Sequence, residues 1–465
     1  MLKNKLLLKT LILFFISFIL GWLVKSLGFS SKQALSISIF CLSILGTLFF
    51  WDFRLSFAFL GTSILLFSQT IDLDNLIKFA SLEIILFLVG MMVLVGILKY
   101  TGFFAWLVSL ILRIPNLTAK KFVIYICFIS ALLSCAVDEV TSIIFMVAAI
   151  LEICDYFEVE PTPFIIISIF ATNIGSSGTV LGNPIGILIA AKSGLTFEDF
   201  ILKAFPLMFI CLLATISIVL FWYRKSIKIL DNQIKKMGAN EMLIKLLSVP
   251  PEKELKIGLF IFGITLFFIA LHHRLELGLN LENNTVLLII PLISAGCVMI
   301  WKHKKAREFI EKDVEWWTLL FFLLLFAQAG TLKYTGFTDV LAKRIILATR
   351  QNSNYLLSLI LWVSTLGSSI LDNVVLVASF VPIIQSLQSL NLLVKPLWWA
   401  LLFGGCFGGN ITLIGSTANI VALGILEKER KIKISFFKWL KIGLVVGLVT
   451  TSIVWIFLIW SPLFR

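Results

Sequence analysis

The chain of 465 residues is 59% hydrophobic and only 14% charged, with a mean hydropathy of +1.03. Because a soluble domain carries about 25% charged residues, this composition excludes an ordinary soluble protein and indicates one that lies in a lipid bilayer. The net charge of +13 does not require a nucleic-acid partner, since the Lys and Arg residues stand in short segments between apolar runs, where they set membrane orientation. We find no G-x-S-x-G, H-E-x-x-H or P-loop pattern, so we expect no enzyme. The seven cysteines form no C-x-x-C pair, and we expect no zinc or other cofactor.

Eleven apolar segments are long enough, or nearly so, for membrane-spanning helices of about 20 residues. They lie near 9–27, 33–50, 54–70, 81–98, 163–192, 203–223, 256–272, 284–301, 315–332, 395–425 and 437–460. Two further apolar stretches, 121–160 and 354–390, carry SCAVDEVTS and SSILDNVVL in their middles. A carboxylate that faces lipid at mid-depth is costly, whereas a re-entrant hairpin hides its tip inside protein. We therefore predict that both stretches are re-entrant hairpins.

The basic segments predict the orientation of the chain. With a cytoplasmic N-terminus and both hairpins in place, each strongly basic loop falls on the cytoplasmic face and the C-terminus lies outside. These loops lie at 99–121, 224–256, 302–307 and 427–433. We predict a multi-pass protein of a bacterial inner membrane. Its parts are an N-terminal half at 1–223, a basic cytoplasmic linker at 224–255 and a C-terminal half at 256–465.

The hexapeptide LKYTGF occurs twice, at 98–103 and again at 332–337, which is a separation of 234 residues. In the predicted layout each copy lies at the end of a membrane-spanning helix, and the two helices cross the membrane in opposite directions. The same offset places Asp138 on Asp372, and an offset of 233 places GSSGTVLGN on GGNITLIGS. The sequence therefore predicts an all-α polytopic membrane protein with about 11 transmembrane helices and two re-entrant hairpins in an inverted-topology repeat. This architecture is typical of secondary transporters.

Polar and helix-breaking residues mark a candidate site inside the apolar regions. NIGSSGTVLGNP at 173–184 and GGNITLIGSTAN at 408–419 cannot be regular helix throughout. Broken helices expose carbonyl groups that bind Na⁺ and half-helix N-termini that attract anions. A packing face of small residues is the alternative for the glycines. The predicted ion- and substrate-binding residues are Asp138, Glu139, Thr141, Asn173, Gly175, Ser176, Ser177, Thr179, Gly182, Asn183, Asp372, Asn373, Gly408, Asn410, Thr412, Gly415, Ser416 and Asn419.

Three of these residues, Asp138, Glu139 and Asp372, are carboxylates near the middle of the predicted membrane region. Buried carboxylates can exchange a proton for a cation, so we expect Na⁺ or H⁺ as the coupling ion. No Lys or Arg except Lys192 falls close to the four polar stretches in the predicted layout, so we expect no fixed cation for an anionic substrate. This favours Na⁺/H⁺ exchange, with an anion permease as the alternative. The predicted Na⁺ ligands are Asp138, Asn173, Asp372 and Asn410.

The motifs resemble those of the ion-transporter superfamily. LLSCAVDEVTSIIFM and FATNIGSSGTVLGNP resemble its pattern L-S-A-x-x-D-N-V-T and A-S-N-I-G-G-T-A-T-L-I-G-D-P-P-N, and SSILDNVV and GGNITLIGSTANIVALGI resemble it more closely. That superfamily includes arsenite permeases, D-type sodium–proton antiporters, the melanocyte P-protein, citrate–metal transporters and dicarboxylate/sodium symporters. The resemblance covers about 72–445. It implies elevator-type alternating access and a homodimer. It also implies that the substrate is a small inorganic ion, such as arsenite, or a small carboxylate, such as citrate or a dicarboxylate.

The resemblance also implies which residues form two cation and substrate sites. The first would hold Asp138, Thr141, Asn173, Thr179 and Gly182. The second would hold Asp372, Asn373, Asn410, Thr412, Gly415 and Asn419. The first half departs from the pattern twice. Glu139 stands where the pattern has Asn, and Gly182-Asn183-Pro184-Ile185-Gly186 stands where it has Gly-Asp-Pro-Pro-Asn, so that Asn183 replaces Asp. A carboxylate is therefore gained at the hairpin and one is lost at the break, as if the charge had moved across one cavity.

Overall fold

The computed structural model describes residues 2–103, 106–107, 118–237, 253–282, 284–390 and 392–464, and these residues form helices and no strands. Residues 238–252 of the predicted linker lie outside the described residues, and the linker begins with the helix Arg224–Met237. The helices before it are Leu2–Ser26, Ser31–Phe49, Arg54–Phe67, Leu73–Phe79, Leu82–Tyr100, Ala119–Val137, Glu139–Tyr156, Thr162–Gly175, Pro184–Ser193, Phe197–Asp199 and Phe205–Trp222. Those after it are Lys253–Ala270, His272–Leu279, Thr285–Trp301, Ala306–Glu308, Trp316–Tyr334, Phe337–Ala348, Ser353–Ser368, Asn373–Ser389, Lys395–Gly408, Thr417–Arg430 and Phe436–Trp460.

Seven of the described helices are long and apolar enough to cross a membrane. The number rises to nine if each of two bent pairs counts as one span: Lys253–Ala270 with His272–Leu279, bent by 61°, and Thr285–Trp301 with His303–Asp313, bent by 104°. The broken helices are not in this number because each of their halves has at most 14 residues. The predicted all-α polytopic fold is confirmed.

The helix boundaries repeat at half-length. Leu82–Tyr100 and Trp316–Tyr334 begin and end 234 residues apart, and each contains a copy of the sequence LKY. The helices that follow start at the same offsets in both halves. Offsets of 234 relate Ala119 to Ser353 and Glu139 to Asn373, and offsets of 233 relate Thr162 to Lys395 and Pro184 to Thr417. The two halves therefore build the same series of elements, namely a long helix, a hairpin and a broken helix.

The two polar-tipped stretches fold as pairs of helices. Hairpin 1 is Ala119–Val137 with Glu139–Tyr156, and hairpin 2 is Ser353–Ser368 with Asn373–Ser389. An aspartate starts the second helix of each pair, because its carboxylate accepts hydrogen bonds from the first free backbone N–H groups and complements the positive helix end. Asp138 accepts from two such groups at 2.8 and 3.0 Å, and Asp372 accepts from one at 3.1 Å. The aspartates thus have a structural reason to stand at the tips.

The broken helices pack directly against the hairpins. The stretch 163–192 consists of Thr162–Gly175 and Pro184–Ser193, and we call the residues between them, 176–183, break 1. The stretch 395–425 consists of Lys395–Gly408 and Thr417–Arg430, and 409–416 is break 2. A Cβ added to Gly175 or Gly408 would lie 2.3 or 2.2 Å from a carbonyl oxygen of the neighbouring hairpin, Ala131 O or Thr365 O respectively. These two glycines therefore let the backbones touch, which is the packing role considered above as the alternative.

Three helices form a wall beside these elements: Arg54–Phe67, Leu82–Tyr100 and Trp316–Tyr334, which we call the wall helices. Two of them, Arg54–Phe67 and Trp316–Tyr334, are joined by a buried contact in which Gln328 Nε2 donates to Ala58 O and Thr62 Oγ1, both at 3.0 Å. Between the wall helices and hairpin 1 lies a cavity of about 630 Å³. The tip of hairpin 1 and break 1 are thus presented to a space inside the protein, as expected for irregular backbone at membrane depth.

Candidate ion-binding site

The carboxylate of Glu139 lies where the two halves meet. Its side chain is 2% exposed. Oε1 accepts a hydrogen bond from Asn373 Nδ2 at 2.9 Å and faces Ser416 Oγ at 3.4 Å, while Oε2 faces Asn183 Nδ2 at 3.4 Å. None of the ion pairs that the described residues form includes Glu139. A buried carboxylate held only by neutral donors is suited to take up a proton or a cation.

An amide network continues from this carboxylate into both broken helices. Asn173 Nδ2 donates to Asn410 Oδ1 at 2.9 Å and to Asn419 Oδ1 at 2.8 Å. Ser416 Oγ lies 3.1 Å from Asn173 Oδ1, and its single proton can serve either this oxygen or Glu139 at one time. Asn173, which the family resemblance assigned to the first site, is therefore bonded to Asn410 and Asn419, which it assigned to the second.

Break 1 contributes Asn183 to the same network. Its Oδ1 accepts from the backbone N–H of Gly186 at 2.9 Å, which caps the helix that follows, and its Nδ2 donates to Ser176 Oγ at 2.9 Å. The same Nδ2 lies 3.2 Å from Cys406 Sγ of the second half. Asn183 and Glu139 are the two departures from the superfamily pattern, and their side chains are neighbours. The geometry is thus compatible with a carboxylate that has moved from one side of a shared pocket to the other.

The two tip aspartates are bonded within their own surroundings instead. Asp138 Oδ2 accepts from Thr141 Oγ1 at 2.7 Å, and Asp372 Oδ2 accepts from Thr417 Oγ1 at 2.5 Å. No hydrogen bond among the described side chains links either aspartate to the Glu139 network. Thr417 is a polar contact that was not among the predicted site residues. Its position as the first residue of the helix after break 2 was the available signal.

Several predicted site residues have their polar atoms engaged in holding the breaks. The hydroxyl of Thr179 donates to Cys135 O, and that of Thr412 donates to the equivalent carbonyl, Ser369 O. Both bonds tie a break to the tip of its own hairpin. Ser177 Oγ donates to Ile174 O at 2.8 Å within its own helical turn. The role of these three side chains in ion binding stays a prediction.

The remaining predicted glycines lie at close backbone approaches inside the breaks. A Cβ on Gly182 would lie 2.2 Å from Ser176 O, and one on Gly415 would lie 2.7 Å from Ser368 O. Such distances are too short for any side chain, so only glycine fits.

The predicted Na⁺ ligands are brought together only in part. Asn173 and Asn410 are in contact, whereas Asp138 and Asp372 each bind their own threonine. Among the described residues, no group of three or more His, Cys, Asp and Glu side chains could hold a metal ion. The four-residue Na⁺ site therefore stays a prediction, and any Na⁺ here would need amide, hydroxyl or carbonyl oxygens beside a carboxylate.

The cavity beside the site corrects one expectation. It is lined by Asp138, Glu139, Thr141 and Asn183 on one side and by Arg54 on the other. The expectation that no fixed cation lies close to the polar stretches was wrong, because Arg54 is 5% exposed and lines this same cavity. The sequence could not show this contact, since residue 54 stands 84 positions before Asp138 and, in the segment WDFR, reads as a residue at the membrane surface.

Comparison with known proteins identifies the family. Residues 48–404, which include both hairpins and break 1, match the sequence model of the citrate transporter family. The chain belongs to this family. The resemblance to the ion-transporter superfamily is thereby confirmed, and the chain is a multi-pass membrane transporter.

Relatives with known names support this assignment. An uncharacterized transporter of Mycobacterium tuberculosis strain CDC 1551 is 30% identical over 371 residues, which cover 79% of this chain and 83% of that protein. Another from strain H37Rv is 32% identical over 381 residues, covering 81% and 85%. The human P protein is 27% identical over 454 residues, which cover 82% of this chain and 54% of the P protein. The crystal structure of the Alcanivorax borkumensis YdaH transporter superposes with a TM-score of 0.57 at 16% identity, covering 87% of this chain and 90% of that chain. That structure shares the fold.

Proposed function

We propose that this member of the citrate transporter family is a secondary active transporter, in which Glu139, together with Asp138 and Asp372, takes up Na⁺ or H⁺. The observation that carries the proposal is the position of Glu139, buried at the junction of the two halves with three neutral donors around it. An unpaired buried charge is unfavourable, so this carboxylate is stable when a proton or a cation neutralises it. Uptake of the ion is therefore linked to how the two halves pack around Glu139.

Elevator-type alternating access is the movement that we propose. Each hairpin packs on its own broken helix through backbone contacts at Gly175 and Gly408, so hairpins and breaks are suited to move as one body. The wall helices stand across the cavity from this body, and Gln328 ties two of them, Arg54–Phe67 and Trp316–Tyr334, to each other. A carrier made of inverted repeats alternates by moving one such body against the other around a fixed site.

Two versions of the coupling follow from the charges. Na⁺/H⁺ exchange needs only the carboxylates, because a cation and a proton compete for the same negative charge. Cotransport of a small carboxylate with the cation is the second candidate, and Arg54 in the cavity wall favours it. We also propose a location in a bacterial inner membrane, a cytoplasmic N-terminus, an external C-terminus and a homodimer, and these stay predictions.

The test is an ion-flux assay on purified protein in liposomes that contain a pH-sensitive dye. Na⁺, Li⁺ or K⁺ is added outside, and the assay is repeated with Asp138→Asn, Asp372→Asn and Glu139→Gln. Glu152→Gln is the matched control, because Glu152 lies exposed on the second helix of hairpin 1. We expect cation-dependent alkalinisation in the wild type and the control and its loss in the three variants.

An absent pH response to every cation in the wild type would contradict exchange. The same liposomes, assayed with labelled citrate, arsenite and dicarboxylates under a Na⁺ or H⁺ gradient, then test the second candidate. Equal flux in the wild type and in Glu139→Gln would remove Glu139 from the coupling mechanism.

A further inference from the structure

The guanidinium of Arg54 is buried at the start of the wall helix Arg54–Phe67. The residue is 5% exposed. Its Cζ lies 3.9 Å from the centroid of the Trp51 ring and 5.3 Å from that of Phe321. Stacking on an aromatic face holds the planar group in one orientation and leaves its N–H edge free for a planar partner.

Most of the hydrogen-bonding capacity of this group is unused. A guanidinium has five N–H donors. Among the described residues the one acceptor of its side chain is Thr318 Oγ1, 3.3 Å from Nη2, and none of their ion pairs includes Arg54. A buried cation with so few partners is unfavourable, so the arrangement indicates an anionic ligand.

Negative charges stand close to Arg54 but not in contact with it. Its charge interacts with those of Asp372, Glu315 and Asp52, all beyond ion-pair distance. The cavity occupies the space between Arg54 and hairpin 1. The other charged residues that line it are Lys99, Asp138, Glu139, Lys312 and Asp313. An anion bound at Arg54 would therefore lie opposite a mainly acidic surface.

We propose that Arg54, stacked on Trp51 and flanked by Thr318, forms a subsite that binds a carboxylate group of the transported substrate. Arg pairs with a carboxylate through two parallel N–H···O bonds, which select a planar oxyanion and fix its orientation. The proposal rests on the proposed function in that it supplies the anion subsite of the cotransport version. It assigns that subsite to a wall helix, across the cavity from the tip of hairpin 1, whose carboxylates take up the cation.

The position of the subsite also predicts its coupling to Na⁺. The carboxylates opposite Arg54 repel an incoming anion until a cation neutralises them. Bound Na⁺ therefore raises the affinity for the anion, and by linkage the bound anion raises the affinity for Na⁺ by the same factor.

The experiment measures equilibrium binding of labelled citrate and succinate to purified protein, with NaCl or with choline chloride at the same concentration. The variants are Arg54→Gln and Arg54→Lys. Arg344→Gln is the matched control, because Arg344 also stacks on an aromatic ring, that of Phe29 at 4.9 Å, but does not line the cavity. A melting curve without ligand shows whether each variant is folded.

We expect Na⁺-dependent binding in the wild type and in Arg344→Gln. Loss of a charge-assisted hydrogen-bonding partner weakens binding by about 1.5–3 kcal/mol, so Arg54→Gln should bind roughly 10- to 150-fold more weakly. Arg54→Lys keeps the charge but not the paired donors, so its affinity should lie between those of the wild type and Arg54→Gln. If Arg54→Gln does not fold, a loss of affinity in the folded Arg54→Lys variant carries the test.

Wild-type affinity in a folded Arg54→Gln or Arg54→Lys variant would overturn the proposal, and so would the absence of carboxylate binding in the wild type. The assay needs no membrane and no gradient, so its failure is distinct from that of the proposed function. Carboxylate binding without cation-coupled flux would keep the subsite and remove the coupling. Cation–proton exchange without carboxylate binding would support the proposed ion coupling and overturn the subsite.

Discussion

The neighbouring positions 139 and 183 allow the proposed shift of a carboxylate to be reversed by mutation. In Glu139→Asn/Asn183→Asp the acid moves from hairpin 1 to break 1, and the number of charges stays the same. The two side chains are 3.4 Å apart, so the new carboxylate lies within a few ångströms of the old one. We expect the double variant to transport, whereas either single variant should be impaired.

The magnitude follows from the distances. A cation about 4 Å from a carboxylate gains roughly 4 kcal/mol at an effective dielectric constant of about 20. Removal of the charge in Glu139→Asn should therefore weaken cation binding by up to about 10³-fold. Moving the charge by about the separation of the two side chains leaves roughly 2.2 kcal/mol of attraction, so the double variant should lose only about 25-fold.

The assay compares half-saturating Na⁺ concentrations in liposome flux for the wild type, both single variants and the double variant. Asn183→Asp alone places a second carboxylate beside Glu139, and like-charge repulsion should impair it too. A double variant as inactive as Glu139→Asn would contradict a shared pocket, because it would show that transport requires the acid at position 139 and not merely an acid at either position.

Three further predictions concern the stability of the protein, measured as melting temperature in detergent. Gly175→Ala should cost about 1–3 kcal/mol, since its new Cβ would meet a carbonyl oxygen at 2.3 Å, while Gly263→Ala, with nothing within 4 Å, should be neutral. A neutral Gly175→Ala would contradict the close packing. Asn173→Ala should cost about 1–3 kcal/mol for each of the two amide oxygens that it leaves without a donor, and an unchanged melting point would contradict the buried network. Thr179→Val and Thr412→Val should lower stability by similar amounts, because their bonds are equivalent in the repeat, and a loss in only one would contradict that equivalence.

The sequence predicted the fold and the breaks well because the repeat supplies two copies of each signal. Asp138 and Asp372 stood out as carboxylates inside apolar stretches, and both start a helix at a hairpin tip. Breaks 1 and 2 stood out because Gly, Pro and Asn cluster in corresponding places. These features are local, so a reading of composition and spacing finds them.

Contacts between distant segments could not be predicted in this way. The cavity position of Arg54 depends on how the wall helices pack against hairpin 1, and no local pattern encodes that packing. Glu139 was placed at a tip but not at the junction of the halves. Its partner Asn373 is its own equivalent at an offset of 234, so a residue near the pseudo-twofold axis contacts its counterpart. Aligning the two halves of the sequence pairs residue 139 with residue 373. The alignment does not show that the two residues are in contact, because that depends on their distance from the axis in the folded protein.

In the proposed mechanism, uptake of a cation at the buried junction drives the movement of a second ion. The most direct measurement imposes a Na⁺ or H⁺ gradient across liposomes that contain the purified protein and follows the second ion, a proton or labelled citrate, over time. We predict transient accumulation of that ion above its equilibrium concentration in the wild type, lost in Glu139→Gln and kept in Glu152→Gln. Equilibration without accumulation under every gradient would contradict secondary active transport and indicate a passive pathway.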